Sequence, residues 1–358
     1  MSVTKLVPNL VREGPIAFVA EAPGEQEAIA GVPLVGPSGQ LFDRFLKWLA
    51  VDRDQVFIGN VFQQRPTGNK VAQFFMPLAQ ARKTGWHKEC PYPQNESLGF
   101  VRPEYVQHVD RLREEIERAN PNVVVAMGAT SLWALTGLTG ISKYRGVFLP
   151  CTLAPGRKVL PTYHPAYVIR QWKSLPVVAL DFSKAYDHRD TPDIERRDVE
   201  VWLRPTLDDI REWRREHAQP GSVIAFDIET AGEEITCIGF ASNNKVAIVI
   251  PFVDTDSRDG SYWESPEEEL EAWILVEEIL GDETTEKVAH NSSYDCQWLI
   301  QKYGVLPRGK VHDTMLIHHS LQPEWKKSLG FLSSLYLDHP AWKELVDHKG
   351  ASENKADS

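Results

Sequence analysis

Long apolar runs are missing from this chain. None approaches the ~20 residues that cross a bilayer, which argues against a helical membrane anchor and against a membrane partner. The opening MSVTKLVPNLVREG lacks the apolar centre of a secretory signal. Cysteine is sparse: Cys90, Cys151, Cys237 and Cys296 stand far apart, with no C-x-x-C pair. That spacing indicates neither a disulfide framework nor a metal knuckle, and a reducing, cytoplasmic setting is expected. Internal repeats are absent as well.

What is present fits an enzyme-sized α/β protein. A chain of 358 residues exceeds what one hydrophobic core usually organises, so two domains are expected. The net charge of −11 hides an asymmetry: residues 1–185 carry +6 and the remainder −17. A basic half suits a phosphate backbone, whose neutralisation supplies most non-specific affinity. An acidic half suits solvated surface and the carboxylates that bind divalent cations.

Periodicity places the elements. IAFVA (16–20) and VFIGNVF (56–62) are expected as buried strands, with the amphipathic helix GQLFDRFLKWLA between them. A helix over RPEYVQHVDRLREEIERA precedes the strand NVVVAMG and the short helix ATSLWALTG; RGVFLP and KVLPTY are further strands, and HPAYVIRQW begins a helix. This order implies a parallel sheet covered on both faces, with ligands beyond the carboxyl ends of its strands. The polar stretch YDHRDTPDIERR (186–197) is the linker candidate, with the linker itself expected over 188–197 between a domain over 1–187 and one over 198–346. The second domain opens with the strand VEVWLRP and a Thr-capped helix. Three strands in a meander follow, SVIAFDIET, EITCIGFAS and KVAIVIPF, and then helices around 265–280, 292–303, 313–321 and 328–337. A disordered tail is expected over 347–358.

The first half contains three loops with chemistry. Glu21 directly follows a buried strand, and Gly24, Gly31, Gly36 and Gly39 allow close approach to a flat or charged ligand. Asn60 ends the next strand, with Arg65, Asn69 and Lys70 in the loop beyond; an amide both donates to and accepts from a pyrimidine edge. His164 follows a third strand and is held by Pro165 at a helix start, where a neutral or cationic imidazole can donate to a carbonyl gaining negative charge.

Taken together, Ala20-Glu21-Ala22-Pro23-Gly24, then Gly31-x-Pro-Leu34-Val-Gly36-x-x-Gly39, then Asn60-x-x-x-x-Arg65-Pro-x-x-Asn69, then His164-Pro165 form an ordered set. Over roughly residues 14–185 this set resembles the family 4 uracil-DNA glycosylases. The resemblance implies that Glu21 positions the hydrolytic water, Asn60 reads uracil and His164 stabilises the departing uracil anion. It implies DNA carrying uracil or a modified base as partner, contacted by Ala22, Gly24, Leu34, Gly36, Arg65, Asn69 and Lys70. Three departures stand out. No cysteine precedes Cys90, so the family's four-cysteine iron–sulfur cluster is not expected; Leu34 replaces the Phe that stacks on the base; and Ala20 replaces Gly.

In the second half, Asp227 and Glu229 are two apart on a strand, so both carboxylates share one face. Asn291 is expected at a helix N-cap with Asp295 about one turn in, making a three-carboxylate centre for Mg²⁺ or Mn²⁺ with Asn291 beside it. D-I-E-T and N-S-S-Y-D resemble the first two motifs of the 3′–5′ proofreading exonuclease domain of family A DNA polymerases, particularly those of phages. Asp313 is expected as a helix cap rather than a ligand. The third motif, Tyr-x-x-x-Asp, has no match after residue 337. The expectation is therefore the N-terminal portion of a phage-type polymerase, or half of a split one, with the polymerase portion in cis or trans and a host cytoplasm as its place. Two functions follow: base excision by the first domain, or non-catalytic recognition of uracil or a modified base for the polymerase. The exonuclease is expected to be weak or inactive.

Overall fold

The structure, a computed structural model, describes residues 6–194 and 199–337. These form two compact units, residues 6–194 with 330–337, and residues 199–329.

The first unit contains strands β1 (Ile16–Ala20), β2 (Phe57–Asn60), β3 (Phe75–Met76), β4 (Phe100–Val101), β5 (Val123–Met127), β6 (Leu149–Pro150) and β7 (Lys158–Thr162). Its main sheet runs β2-β1-β5-β7-β6. The first four are mutually parallel, as expected, whereas β6 is an antiparallel edge of two residues. All residues of β1, β2, β5 and β7 are buried, so β1 and β5 are continuous apolar runs rather than alternating, while β2 ends on buried Asn60 and β7 is bounded by buried Lys158 and Thr162. Phe18 packs on one face against Phe42 of the helix Pro37–Trp48 and Phe182 of the helix Leu175–Asp187, with ring centroids 5.0 and 5.3 Å away. On the other face Val19 and Phe57 share a core with Val109, Leu112 and Ile116 of the helix Val106–Ala119. The segment between Lys70 and Arg102 adds Phe74, Phe75 and Val101 to that same core, tied by the β3–β4 pair. Because the four long strands are parallel, the residues that follow them emerge at one edge of the sheet.

The second unit contains β8 (Glu200–Leu203), β9 (Val223–Ala231), β10 (Glu234–Ala241), β11 (Val246–Pro251), β12 (Glu286–Ala289) and β13 (Val311–Asp313), ordered β13-β12-β9-β10-β11-β8. The meander β9-β10-β11 is antiparallel, and β12, β13 and β8 add parallel pairs, giving a mixed sheet. Along β9 the buried residues Ile224, Phe226 and Ile228 alternate with exposed Asp227 and Glu229. The buried row meets Ile210 and Trp213 of the helix Leu207–His217 and Val276 and Ile279 of the helix Pro266–Leu280. Thr206 caps the first of these helices in a capping box with Asp209.

One element falls elsewhere than its sequence neighbourhood indicates. The helix Leu329–Tyr336, expected inside the domain 198–346, groups from Gly330 onward with the first unit. Arg145 is one of the residues that tie it there. Its buried guanidinium pairs with buried Asp181, Nε lying 3.1 Å from Oδ2, and Nη1 donates to Ser334 Oγ at 3.0 Å. Thr162 Oγ1 donates to the same Asp181 at 2.7 Å, and Phe331 lies 5.5 Å from the guanidinium. A charge removed from water requires such a full set of partners, and the sequence gives no local sign of it. Residues 195–197 of the expected linker and the expected tail 347–358 lie outside the described residues. No described helix is long and apolar enough to cross a membrane.

Candidate functional site

A cavity of about 510 Å³ opens at the carboxyl edge of the first sheet. Seven of the anticipated residues line it: Glu21, Ala22, Gly24, Leu34, Asn60, Asn69 and His164. Three do not. Gly36 gives its N–H to Glu27 at 2.8 Å, Arg65 pairs with Glu25 at 3.6 Å, and Lys70 is exposed at the end of a short turn.

His164 is the N-cap of the helix Pro165–Arg170, and its Nδ1 accepts the N–H of Ala166 at 3.0 Å. In a neutral ring the hydrogen then sits on Nε2, free to donate. Burial and, after it, the charge of Arg170 push the imidazole down to about 4, against the opposing pull of Glu27. The charge state that the sequence leaves open is thus neutral.

Glu21 accepts a hydrogen bond from Thr130 Oγ1 at 2.5 Å. Burial raises its carboxyl above the usual range, and the Thr130 bond partly offsets this. Asn60 is held from behind. Asn9 Oδ1 accepts its N–H at 2.8 Å, while Asn9 Nδ2 and Arg111 Nη2 donate to its carbonyl at 3.4 and 3.2 Å. Glu115 completes the bracket, accepting from Asn9 at 2.8 Å and Arg111 at 3.0 Å. A Cβ on Gly59 would lie 2.5 Å from Asn9, so glycine is required there.

In the second unit the three anticipated carboxylates gather around one stretch of β9. Asp295 is buried and its Oδ1 accepts the N–H of Ile228, between Asp227 and Glu229, at 3.0 Å. Asp295 is turned onto the strand backbone, while Asp227 and Glu229 stand on the open face of the sheet. Asn291 occupies the N-cap of the helix Ser292–Tyr303 in a left-handed conformation (φ 65°) but makes no side-chain cap bond. Asp313 does that work. Its carboxylate accepts from the backbone of Asn291 and Ser292 at 3.2 and 2.8 Å, and from Met315 and Leu316 at 2.8 and 3.2 Å. The expected cap is therefore a cap of two helices.

Residues 9–188 match the family described as the uracil DNA glycosylase superfamily. The chain belongs to that superfamily. Residues 205–355 match a second family, the 3′–5′ exonuclease of DNA polymerase A type. A type-4 uracil-DNA glycosylase of Thermotoga maritima is 34% identical over 157 residues, covering 43% of this chain and 66% of that protein. A DNA polymerase of Bacillus phage SP01 is 24% identical over 275 residues, 68% of this chain and 29% of the polymerase. The chain therefore spans less than two thirds of the length of either relative. Among solved structures, the Aedes aegypti Nibbler EXO domain is 16% identical, covering 46% of this chain and 81% of that chain, with a TM-score of 0.32.

Several residues of the glycosylase-superfamily pocket escape sequence reasoning. Glu27 is buried and accepts from Val35 and Gly36 at 3.1 and 2.8 Å, shaping the loop that carries Leu34. It also explains two glycines: a Cβ on Gly24 or Gly36 would lie 2.6 or 3.1 Å from its carboxylate. A carboxylate three residues after Gly24 was a visible signal. Asn9, Thr130, Tyr163, Tyr167 and Arg170 had none, because what they touch or line is assembled by the fold.

Proposed function

We propose that the first unit hydrolyses the N-glycosidic bond of uracil in DNA. The observation that carries this reading is the convergence of Glu21, Asn60 and His164 on one cavity. A base must leave the stack to enter such a pocket, at a cost of about a few kcal/mol. Asn60, its peptide fixed by Asn9, offers its amide to the pyrimidine edge. As the N1–C1′ bond breaks, its electron pair leaves with uracil, and His164 Nε2–H donates to the carbonyl on which the charge collects. A neutral donor aimed at that oxygen stabilises the transition state more than the ground state. The Glu21 carboxylate orients a water whose oxygen bonds C1′ and whose proton passes to the carboxylate.

The wider reading is the N-terminal portion of a phage-type DNA polymerase, with the polymerase portion in cis or trans. The similarity to the SP01 polymerase, reaching across both units, supports it. The second unit is read as a 3′–5′ exonuclease, weak or inactive in this chain, in which Asp227, Glu229 and Asp295 would hold Mg²⁺ or Mn²⁺. A second reading of the first unit, recognition without excision, is favoured by Leu34, because an aliphatic side chain forgoes base stacking worth about 1–3 kcal/mol.

One assay separates these readings. A single-stranded oligonucleotide with one uracil is incubated with the protein and Mg²⁺, then treated with alkali. Strand breaks at uracil are expected, reduced about 100-fold or more in His164→Ala, with no 3′ shortening. Retained binding at low salt without breaks would leave recognition alone. Breakage by His164→Ala equal to wild type would remove His164 from the chemistry.

A further inference from the structure

We propose that Thr130 is the positioning residue of Glu21, holding one carboxylate oxygen so that the other faces the reaction cavity. This rests on the excision reading above. Thr130 is buried and does not line the cavity, whereas Glu21 does. Its hydroxyl sits 2.5 Å from Glu21 Oε2. The hydroxyl has one hydrogen, and the bond to Glu21 uses it.

The fold explains how residues 109 apart come to meet. Glu21 follows β1 and Thr130 follows β5, and these strands are parallel neighbours. The turn between β5 and the helix Ala129–Thr136 is made at Gly128, whose φ of 103° and ψ of 175° suit only glycine. Gly128 gives its N–H to Thr162 at 2.9 Å, and a Cβ there would meet His164 at 3.5 Å. The same turn therefore sets Thr130 against Glu21 and lies alongside His164.

The bond does two things. It removes rotational freedom from the carboxylate, which matters because small misplacement of a reacting group is costly in rate. It also favours the ionised form, offsetting part of the burial that raises the Glu21 carboxyl. Excision needs the carboxylate, so rate falls as pH drops through the Glu21 value. Removing the donor moves that acid limb to higher pH. The other ionisable groups around the cavity are Glu27 on the helix Glu25–Ala30, then Tyr163, His164, Tyr167 and Arg170 before and on the helix Pro165–Arg170. None of these is altered by the variant.

The test uses the full chain with Thr130→Val, which keeps the shape and loses the donor, and Thr130→Ser, which keeps the donor. Uracil release is followed against pH under steady-state conditions. The expected result for Thr130→Val is a kcat about tenfold lower, KM unchanged and an acid limb shifted upward, with Thr130→Ser close to wild type. A Thr130→Val profile that superposes on wild type overturns the proposal, as does an equal loss in Thr130→Ser. If Thr130→Val does not fold, Thr130→Ala takes its place under the same two outcomes. If wild-type protein releases no uracil, the excision reading fails by itself. The proposal is then decided by the ¹³C-carboxyl titration of Glu21, assigned with Glu21→Gln: an upward move in Thr130→Val supports it, and no move overturns it.

Discussion

Asn9 spends its whole amide on one peptide group, that of Asn60, and on Glu115. Asn9→Leu leaves the Asn60 N–H buried without its acceptor, a loss of about 1–3 kcal/mol. The expected outcome is a first unit destabilised by that amount in urea, with KM for uracil-containing DNA raised more than kcat is lowered. Unchanged stability and KM would show that Asn60 is fixed by other means. The contrast with Asn60 itself explains what was legible. Glu21, Asn60 and His164 stand at or within two residues of the carboxyl ends of buried strands, where loops collect at one edge, so strand recognition sufficed to find them. Asn9, Thr130 and Glu27 act through partners chosen by the tertiary fold; Asn9 lies 51 residues from Asn60. The neutral state of His164 was likewise invisible, because it depends on burial and on Arg170.

Among the elements, strand positions followed from apolar runs, and the helices of the second unit from amphipathic spacing and caps such as Thr206. The direction of β6 did not, because two residues carry no periodicity. The bond from the Ile228 N–H to Asp295 was hidden for a related cause. Spacing on a strand and a helix says which face a carboxylate shares, and not that Asp295 turns to the Ile228 N–H. Asp313 is the element-scale residue with the clearest consequence, since one carboxylate caps the helices Ser292–Tyr303 and Thr314–Leu321. Each cap contributes about 1 kcal/mol, so Asp313→Ala is expected to cost about 2 kcal/mol near neutral pH. Burial raises this carboxyl, but the bonds from Leu316, Asn291 and Ser292 outweigh it and the net shift is downward. The contribution is therefore present above the ordinary aspartate range and lost as pH falls through the depressed value. Urea denaturation should show the wild-type and Asp313→Ala curves converging in acid; a gap independent of pH would count against the caps.

For the molecule as a whole, the charge split and the two motif sets were enough to anticipate two α/β units of different sheet type, but not that the helix Leu329–Tyr336 joins the first. The first unit is also expected to be acid-sensitive. His108 accepts the Gln63 N–H, and burial followed by the charge of Arg111 lowers its imidazole to about 4. His164 is lowered to about 4 as well. An unfolded chain protonates both near the ordinary histidine value of about 6.5. The stability tied to their neutral forms is thus complete above that value and drains away as pH falls toward about 4. His108→Gln, which keeps an acceptor for Gln63, should show a shallower fall in melting temperature between neutral and acid pH. An identical slope would place the sensitivity elsewhere.

The bond from Arg145 to Ser334 has a consequence for synthesis. The first unit is discontinuous in sequence, resuming at residue 330 after the second unit has been made. A ribosome adds about 5–20 residues per second, so a nascent chain waits on the order of ten seconds between finishing residue 194 and producing Ser334. During that interval the Arg145–Asp181 pair has one flank open to water, and the second unit can fold before the first is closed. The second unit is thus free to mature while the first still awaits the helix Leu329–Tyr336.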